Sequence, residues 1–322
     1  MTVILLTLAS FVAAYVPILG FVWLVWWMDR YEREPVWAIA VCFLWGAFGA
    51  TTLGGTANYV IGATLGLDFD GLILPVLVAP LTEEPAKALI LLGIMTARPF
   101  DNTTDGFVYG AITGLGFAAA ENLQYFQAFA LEAEPMEWLH LTVVRTGWTA
   151  MVHATATSIV GAAVGSLRYR PDRNNIRIRN AFIAAVGIHA AWNFAATQNI
   201  QPLNELAFVG IPMLVLGLLI TLQACLWGEH KILKAELNEE AIRGGIPHSH
   251  VMPLCSWWAR HRGRWLPESM PREPYIKATT RLAFRLNQLR FDPENAFLKK
   301  EIKRTRIEIR QQLMAHPEAT RS

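Results

Sequence analysis

Seven apolar stretches, at about 3–28, 36–66, 72–96, 106–131, 137–168, 180–197 and 203–227, fill the first 227 residues of the chain. A hydrocarbon core of roughly 30 Å is crossed by about 20 helical residues, so each stretch is long enough to span a bilayer. Residues 1–227 carry only 10 Lys/Arg and 15 Asp/Glu, too little polar surface to clothe a soluble core. The other 18 Lys/Arg and 11 Asp/Glu lie in residues 228–322. The pattern predicts an all-α, polytopic membrane helix bundle of about seven transmembrane helices, followed by a C-terminal cytoplasmic helical tail. With 53% hydrophobic and 17% charged residues, a soluble Rossmann, sandwich or nucleic-acid-binding module is excluded as the main body. The expected partner is therefore the lipid bilayer, with no nucleic acid, and oligomeric state is left open.

Three divisions follow: 1–227 as the transmembrane domain, 228–274 as an irregular linker and 275–322 as an amphipathic tail. Cys42, Cys225 and Cys255 are too few and too buried in apolar sequence for a disulfide framework. The first apolar run has no basic leader and is too long for a cleaved signal, so it reads as a retained span. Arg30 and Arg33, Arg98, and the group Arg168, Arg170, Arg173, Arg177 and Arg179 fall in alternate loops, while the loops near 67–71, 132–136 and 198–202 hold no Lys or Arg. By the positive-inside rule the N-terminus is outside and the tail cytoplasmic, in a multi-pass protein of the cell membrane.

Ionisable residues inside the spans are few, and their depths agree. Glu83, Glu84 and Lys87 lie near the centre of the third span, Glu121 near that of the fourth, His153 of the fifth and His189 of the sixth. At about 2.5–3.5 kcal/mol for a charged side chain at mid-bilayer, three carboxylates and a lysine cost on the order of 10 kcal/mol unless paired or hydrated. Such a cluster predicts an internal, water-containing site. Lys87 follows Glu83 and Glu84 by one helical turn, which suits an ion pair. Pro80 and Pro85 predict a kink or break at the carboxylates. Glu121 stands among small residues and has Arg145 as an alternative partner. His189 and Asn193 share a helix face and offer the donors an oxyanion needs.

At these motifs the chain resembles the PrsW family of intramembrane proteases, itself distantly similar to the CAAX prenyl protease and abortive-infection membrane family. The resemblance rests on Glu83-Glu84-Pro85-Ala86-Lys87, on Phe117 through Glu121 with Asn122, on the isolated His153 and on His189 through Asn193, in that order. Asp105-Gly106-Phe107-Val108-Tyr109-Gly110 matches the same group. Coverage is about residues 70–200. The wider CAAX-type pattern has His where this chain has Glu121. The resemblance implies hydrolysis of a peptide bond in or near a membrane-spanning protein substrate and makes 1–227 the catalytic domain. Related enzymes have been assigned both as metalloproteases and as glutamic-type proteases.

The mechanism favoured by the residues needs no cofactor. Glu84 or Glu83 is the general base, aided by His153; Lys87 holds the partner carboxylate ionised; His189 and Asn193 stabilise the oxyanion. The rival within the enzyme class is a Zn²⁺ ion held by Glu121, His153 and His189. The rival outside it is a proton-coupled or cation transporter using the same groups, which the lack of an internal repeat disfavours. A third reading makes the tail a scaffold, its amphipathic segments 275–291 and 295–314 lying on an anionic leaflet or forming a solvated helical pair that packs on the cytoplasmic face or self-associates. His248, His250, Cys255 and His261 match no zinc spacing, and the tryptophans at 257, 258 and 265 suit an interface.

Overall fold

The computed structural model describes residues 2–69, 71–95, 100, 102–132, 135–167, 176–198, 201–262 and 265–320, and every regular element among them is helical. Arg98, Arg168, Arg170 and Arg173, on which the sidedness expectation partly rests, lie outside the described residues. Helix α1 is Thr2–Met28. Helix α2, Val36–Leu65, contains a π-helical turn at Trp45–Ala50. Helix α3, residues 74–94, opens with a π-helical turn at Leu74–Val78 and continues as Ala79–Ile94. Helix α4 is Thr103–Glu132. Helix α5, residues 135–165, has its π-helical turn at Arg145–Thr149. Helices α6, Ile176–Thr197, and α7, Gln201–Ile242, complete the long elements. After them come α8, Val251–Cys255, α9, Trp257–Arg262, α10, Arg272–Phe291, and α11, Ala296–Ala315.

Three helices, Val3–Met28, Val36–Leu65 and Pro212–Ile242, are long and apolar enough by composition to cross a membrane. The other stretches read as spans are also helical, but they hold the ionisable and small residues that lower their apolarity. The described chain forms two compact units. One contains α1 to α6 and α7 as far as Leu222; the other runs from Gln223 to the C-terminal region and includes residues 29–33.

In the first unit α4 is the centre. Residues 104–120 are buried without interruption, and α4 packs against α1, α2, α3 and α5, while α6 packs against α5 and α3. Its start is fixed by a reciprocal cap: the Asn102 side chain accepts from the Thr104 and Asp105 amides, and Asp105 accepts from the Asn102 amide at 3.0 Å. The contact between α4 and α5 is made by backbone. A Cβ on Gly106, Gly110, Gly114 or Gly161 would strike the carbonyl facing it, that of Gly161, Thr157, His153 or Gly106 respectively. Small residues permit this approach in lipid, where packing rather than a hydrophobic force joins helices.

Pro80 and Pro85 do not break α3 at the carboxylates; the helix runs through Pro85. The irregularity is absorbed one turn upstream, where the Ala79 amide bonds the Leu74 carbonyl in π-helical register. A wider turn before Pro80 accommodates a residue that can donate no amide hydrogen.

In the second unit, residues 228–242 are the continuation of α7 rather than irregular linker. Leu233 and Leu237, one turn apart, are fully buried there, and the helix stops where Gly244 takes φ +77°. Residues expected as amphipathic tail form α10 and α11, whose Tyr275, Ile276, Leu282, Ile302 and Ile309 share one core with Leu233, Leu237 and Leu254. Arg290 reaches Glu236 at 2.7 Å and Arg306 reaches Glu240 at 2.6 Å. The apolar faces that would have lain on a leaflet are thus largely used inside the unit.

Replacing Gly110 by Leu forces α4 and α5 apart. Overpacking of this kind costs about 1–3 kcal/mol, so the thermal midpoint in detergent should drop clearly. Gly93→Ala, at a site with nothing within 4 Å of the added carbon, should leave it unchanged.

Candidate active site

Helix α3 brings three ionisable side chains into the first unit: Glu83 (7% exposed), Glu84 (1%) and Lys87 (0%). A fully buried ammonium is stable only among acceptors. Lys87 Nζ donates to Glu84 Oε1 at 2.8 Å and to His153 Nδ1, from α5, at 3.0 Å. It also lies 3.8 Å from Glu83 Oε2 and 3.9 Å from the centre of the Phe117 ring.

Donor and acceptor roles then follow along the network. An ammonium only donates, so His153 Nδ1 is the acceptor and its proton sits on Nε2. That N–H points to Glu121 Oε2 at 2.9 Å. Glu121, on α4, is held in turn by Arg145 at 2.8 Å, whose Nε donates to Asn122 Oδ1 at 3.1 Å and whose guanidinium covers the Tyr125 ring. On the other side, His189 from α6 donates through Nδ1 to Glu84 Oε1 at 2.9 Å, and Thr157 donates to Glu84 Oε2 at 3.4 Å. His189 Nε2 lies 3.8 Å from Glu83 Oε2. The two imidazoles meet edge to face, with centroids 4.8 Å apart.

Glu83 differs from its neighbour. Its Oε1 accepts from Asn58 Nδ2, on α2, at 3.1 Å, whereas Oε2 is buried and has no hydrogen-bond partner. A buried carboxylate oxygen without a hydrogen bond, facing an imidazole nitrogen, is a place suited to a proton donor or a cation. Ligand atoms of Glu84, His153 and His189 lie within 4.8 Å of one another, and two imidazoles with a carboxylate are a donor set suited to zinc.

The sequence-selected residues Glu83, Glu84, Lys87, His153 and His189 therefore meet, with Glu121 attached through His153. For the ion, the grouping contains Glu84 where the sequence reading placed Glu121, because the Glu121 carboxylate is taken up by Arg145 and His153. Asn193 stands apart, its amide donating to the Pro75 carbonyl at 2.8 Å. There it ties α6 to the π-helical turn of α3. Asn58 was not singled out from the sequence; an Asn in the interior of an apolar span was the available signal.

Comparison with known proteins bears on what this site does. Residues 34–221 match the family model described as "PrsW family intramembrane metalloprotease". The chain belongs to the PrsW family. It is 28% identical over 189 residues to Protease PrsW of Clostridioides difficile, covering 57% of this chain and 77% of that one. Protease PrsW of Bacillus subtilis is 24% identical over 183 residues, 52% of this chain and 74% of its own. That of Geobacillus kaustophilus is 25% identical over 167 residues, 52% and 70% respectively. No solved structure matches. The chain is thus a membrane protein of a protease family, and the comparisons give the transporter alternative no support.

Removing Lys87 leaves Glu84 as an uncompensated buried charge, a change that costs about 3–5 kcal/mol in comparable pairs. Lys87→Met should sharply lower the resistance of the detergent-solubilised protein to unfolding, and Lys87→Met with Glu84→Gln should recover most of it. Equal losses in the single and double variants would contradict the pairing.

Proposed function

We propose that this protein is an intramembrane endopeptidase in which Glu83 activates the water that hydrolyses a peptide bond in or near a membrane-spanning substrate. The observation that carries the reading is Glu83 Oε2, buried without a hydrogen-bond partner and 3.8 Å from His189 Nε2. Of the two adjacent acids, Glu84 is saturated by Lys87, His189 and Thr157, so Glu83 is the one free to take a proton from water. Lys87 keeps Glu84 ionised, and Glu84 fixes the His189 ring with its Nε2 toward Glu83. Arg145, Glu121 and His153 form the orienting chain on the other side of Lys87.

The donor set of Glu84, His153 and His189 fits a divalent ion, and the family's description as metalloprotease favours one over the metal-free mechanism. When bound, such an ion supplies Lewis acidity that polarises a carbonyl and acidifies water. Lys87 is the competitor for that place, since its ammonium now bonds both Glu84 Oε1 and His153 Nδ1. Asn193, committed to Pro75, is assigned to holding α6 in place instead of donating to the oxyanion.

We further read the seven helical stretches up to about residue 227 as crossing the membrane, with the N-terminus outside and the C-terminal region cytoplasmic. Arg30, Arg33, Arg177 and Arg179 support that sidedness. The transmembrane division carries the catalysis.

Purified protein in detergent should cut a single-span substrate into discrete fragments. Glu83→Gln and His189→Ala should each reduce the rate by at least about 100-fold, within the range for a lost general base. Stripping with a chelator should abolish cleavage and Zn²⁺ should restore it. Full activity at a metal content well below one ion per chain would remove the ion from the mechanism while leaving the protease reading intact. Intact substrate under all conditions would remove the protease reading itself.

A further inference from the structure

Helix α2 adds no ionisable group to the cluster, yet Glu83 is seated against it. Gly54 and Asn58 lie one helical turn apart on α2 and so share a face. A Cβ at Gly54 would come within 2.9 Å of Glu83 Cγ and 3.4 Å of its Cα. Only a residue without a side chain lets the methylenes of Glu83 rest on the α2 backbone. One turn further, Asn58 Nδ2 donates to Glu83 Oε1 at 3.1 Å.

The orientation of the Asn58 amide is set by its other neighbour. An ionised carboxylate can only accept, so the NH₂ faces Glu83 and Oδ1 receives the Thr82 hydroxyl. Thr82 immediately precedes Glu83, and its hydroxyl also lies 3.0 Å from the Val78 and Ala79 carbonyls, at the end of the π-helical turn. The amide is thereby clamped between two consecutive residues of α3. Oε1 is held by a hydrogen bond and Oε2 is not; Oε2 faces Lys87 Nζ and His189 Nε2, each at 3.8 Å. The joining of α2 to α3 is also supplied elsewhere, by Trp45 Nε1 donating to the Ala86 carbonyl at 3.0 Å.

We propose that Asn58 is a positioning residue for Glu83, with Gly54 as the seat for its side chain, together aiming Oε2 at the reacting water. The inference rests on the protease reading with Glu83 as base. It assigns to α2 a part in catalysis that touches neither substrate nor ion. A carboxylate displaced by about 1 Å from its productive place loses on the order of 100-fold in rate, so losing half of the cradle should be visible in turnover.

The test is steady-state cleavage of a single-span peptide by the purified full-length protein. Asn58→Leu, Asn58→Asp and Gly54→Ala should each lower the kcat of the folded protein about tenfold or more, with KM within about twofold, since the lost interaction serves the base and not substrate binding. Asn58→Asp keeps the shape of the side chain while removing the donor, and the comparison with the Glu83→Asp background separates positioning from a general loss of stability. In a Glu83→Asp background, whose shorter acid no longer reaches α2, Asn58→Leu should change the residual kcat by less than about twofold. Wild-type kcat in both Asn58 variants, or the same fold-loss in the wild-type and Glu83→Asp backgrounds, would overturn the positioning role. If the wild-type protein cleaves nothing, or Glu83→Gln cleaves as fast as wild type, the protease reading falls and this inference falls with it.

Discussion

The first unit is organised around one buried charge. Lys87 is fully enclosed, and an ammonium in that position must be given acceptors or the helix that bears it cannot remain inside the bundle. Those acceptors come from α3 itself and from α5, and each of them has a further partner: Glu84 on His189 and Thr157, His153 on Glu121. Satisfying one lysine thus fixes the relative placement of α3, α4, α5 and α6. It also determines which acid is left over. Glu84 is consumed by the pairing, and the residual carboxylate oxygen belongs to Glu83.

A second constraint makes that network reachable. The backbones of α4 and α5 touch through Gly106, Gly110, Gly114 and Gly161, and the carbonyl packed against Gly114 is that of His153. The imidazole therefore starts from a backbone position that cannot drift. The close glycine packing of α4 on α5 is also what lets His153 Nε2, on α5, reach Glu121, on α4, at 2.9 Å.

Much of this was legible in the sequence, and the misses have physical causes. Helical stretches with charged residues at one depth follow from composition and spacing, because depth along a span is a linear quantity. Azimuth is not: each residue advances a helix by about 100°, so depth alone could not tell that Glu84, rather than Glu121, would join the two imidazoles. Asn58 was passed over because an uncharged amide in an apolar span costs far less than a carboxylate and so signals less. Pro80 and Pro85 predicted a kink or a break; the helix is unbroken through Pro85, and the irregularity falls one turn upstream in a π-helical turn. Residues 228–242 looked like linker because they are charged, although Lys, Glu, Leu and Ala are strong helix formers. Asn193 shares a face with His189, as spacing requires, but its amide finds a backbone carbonyl first.

The central claim is that the enclosed carboxylates and imidazoles hydrolyse a peptide bond with water. Its most direct measurement is mass spectrometry of a single-span substrate after single-turnover cleavage by the pure protein in H₂¹⁸O. The account predicts one ¹⁸O atom in the new C-terminal carboxylate at a single cleavage position, with no labelled fragment formed by Glu83→Gln. Substrate recovered intact and unlabelled, or the same labelled fragment produced by the Glu83→Gln protein, would contradict it.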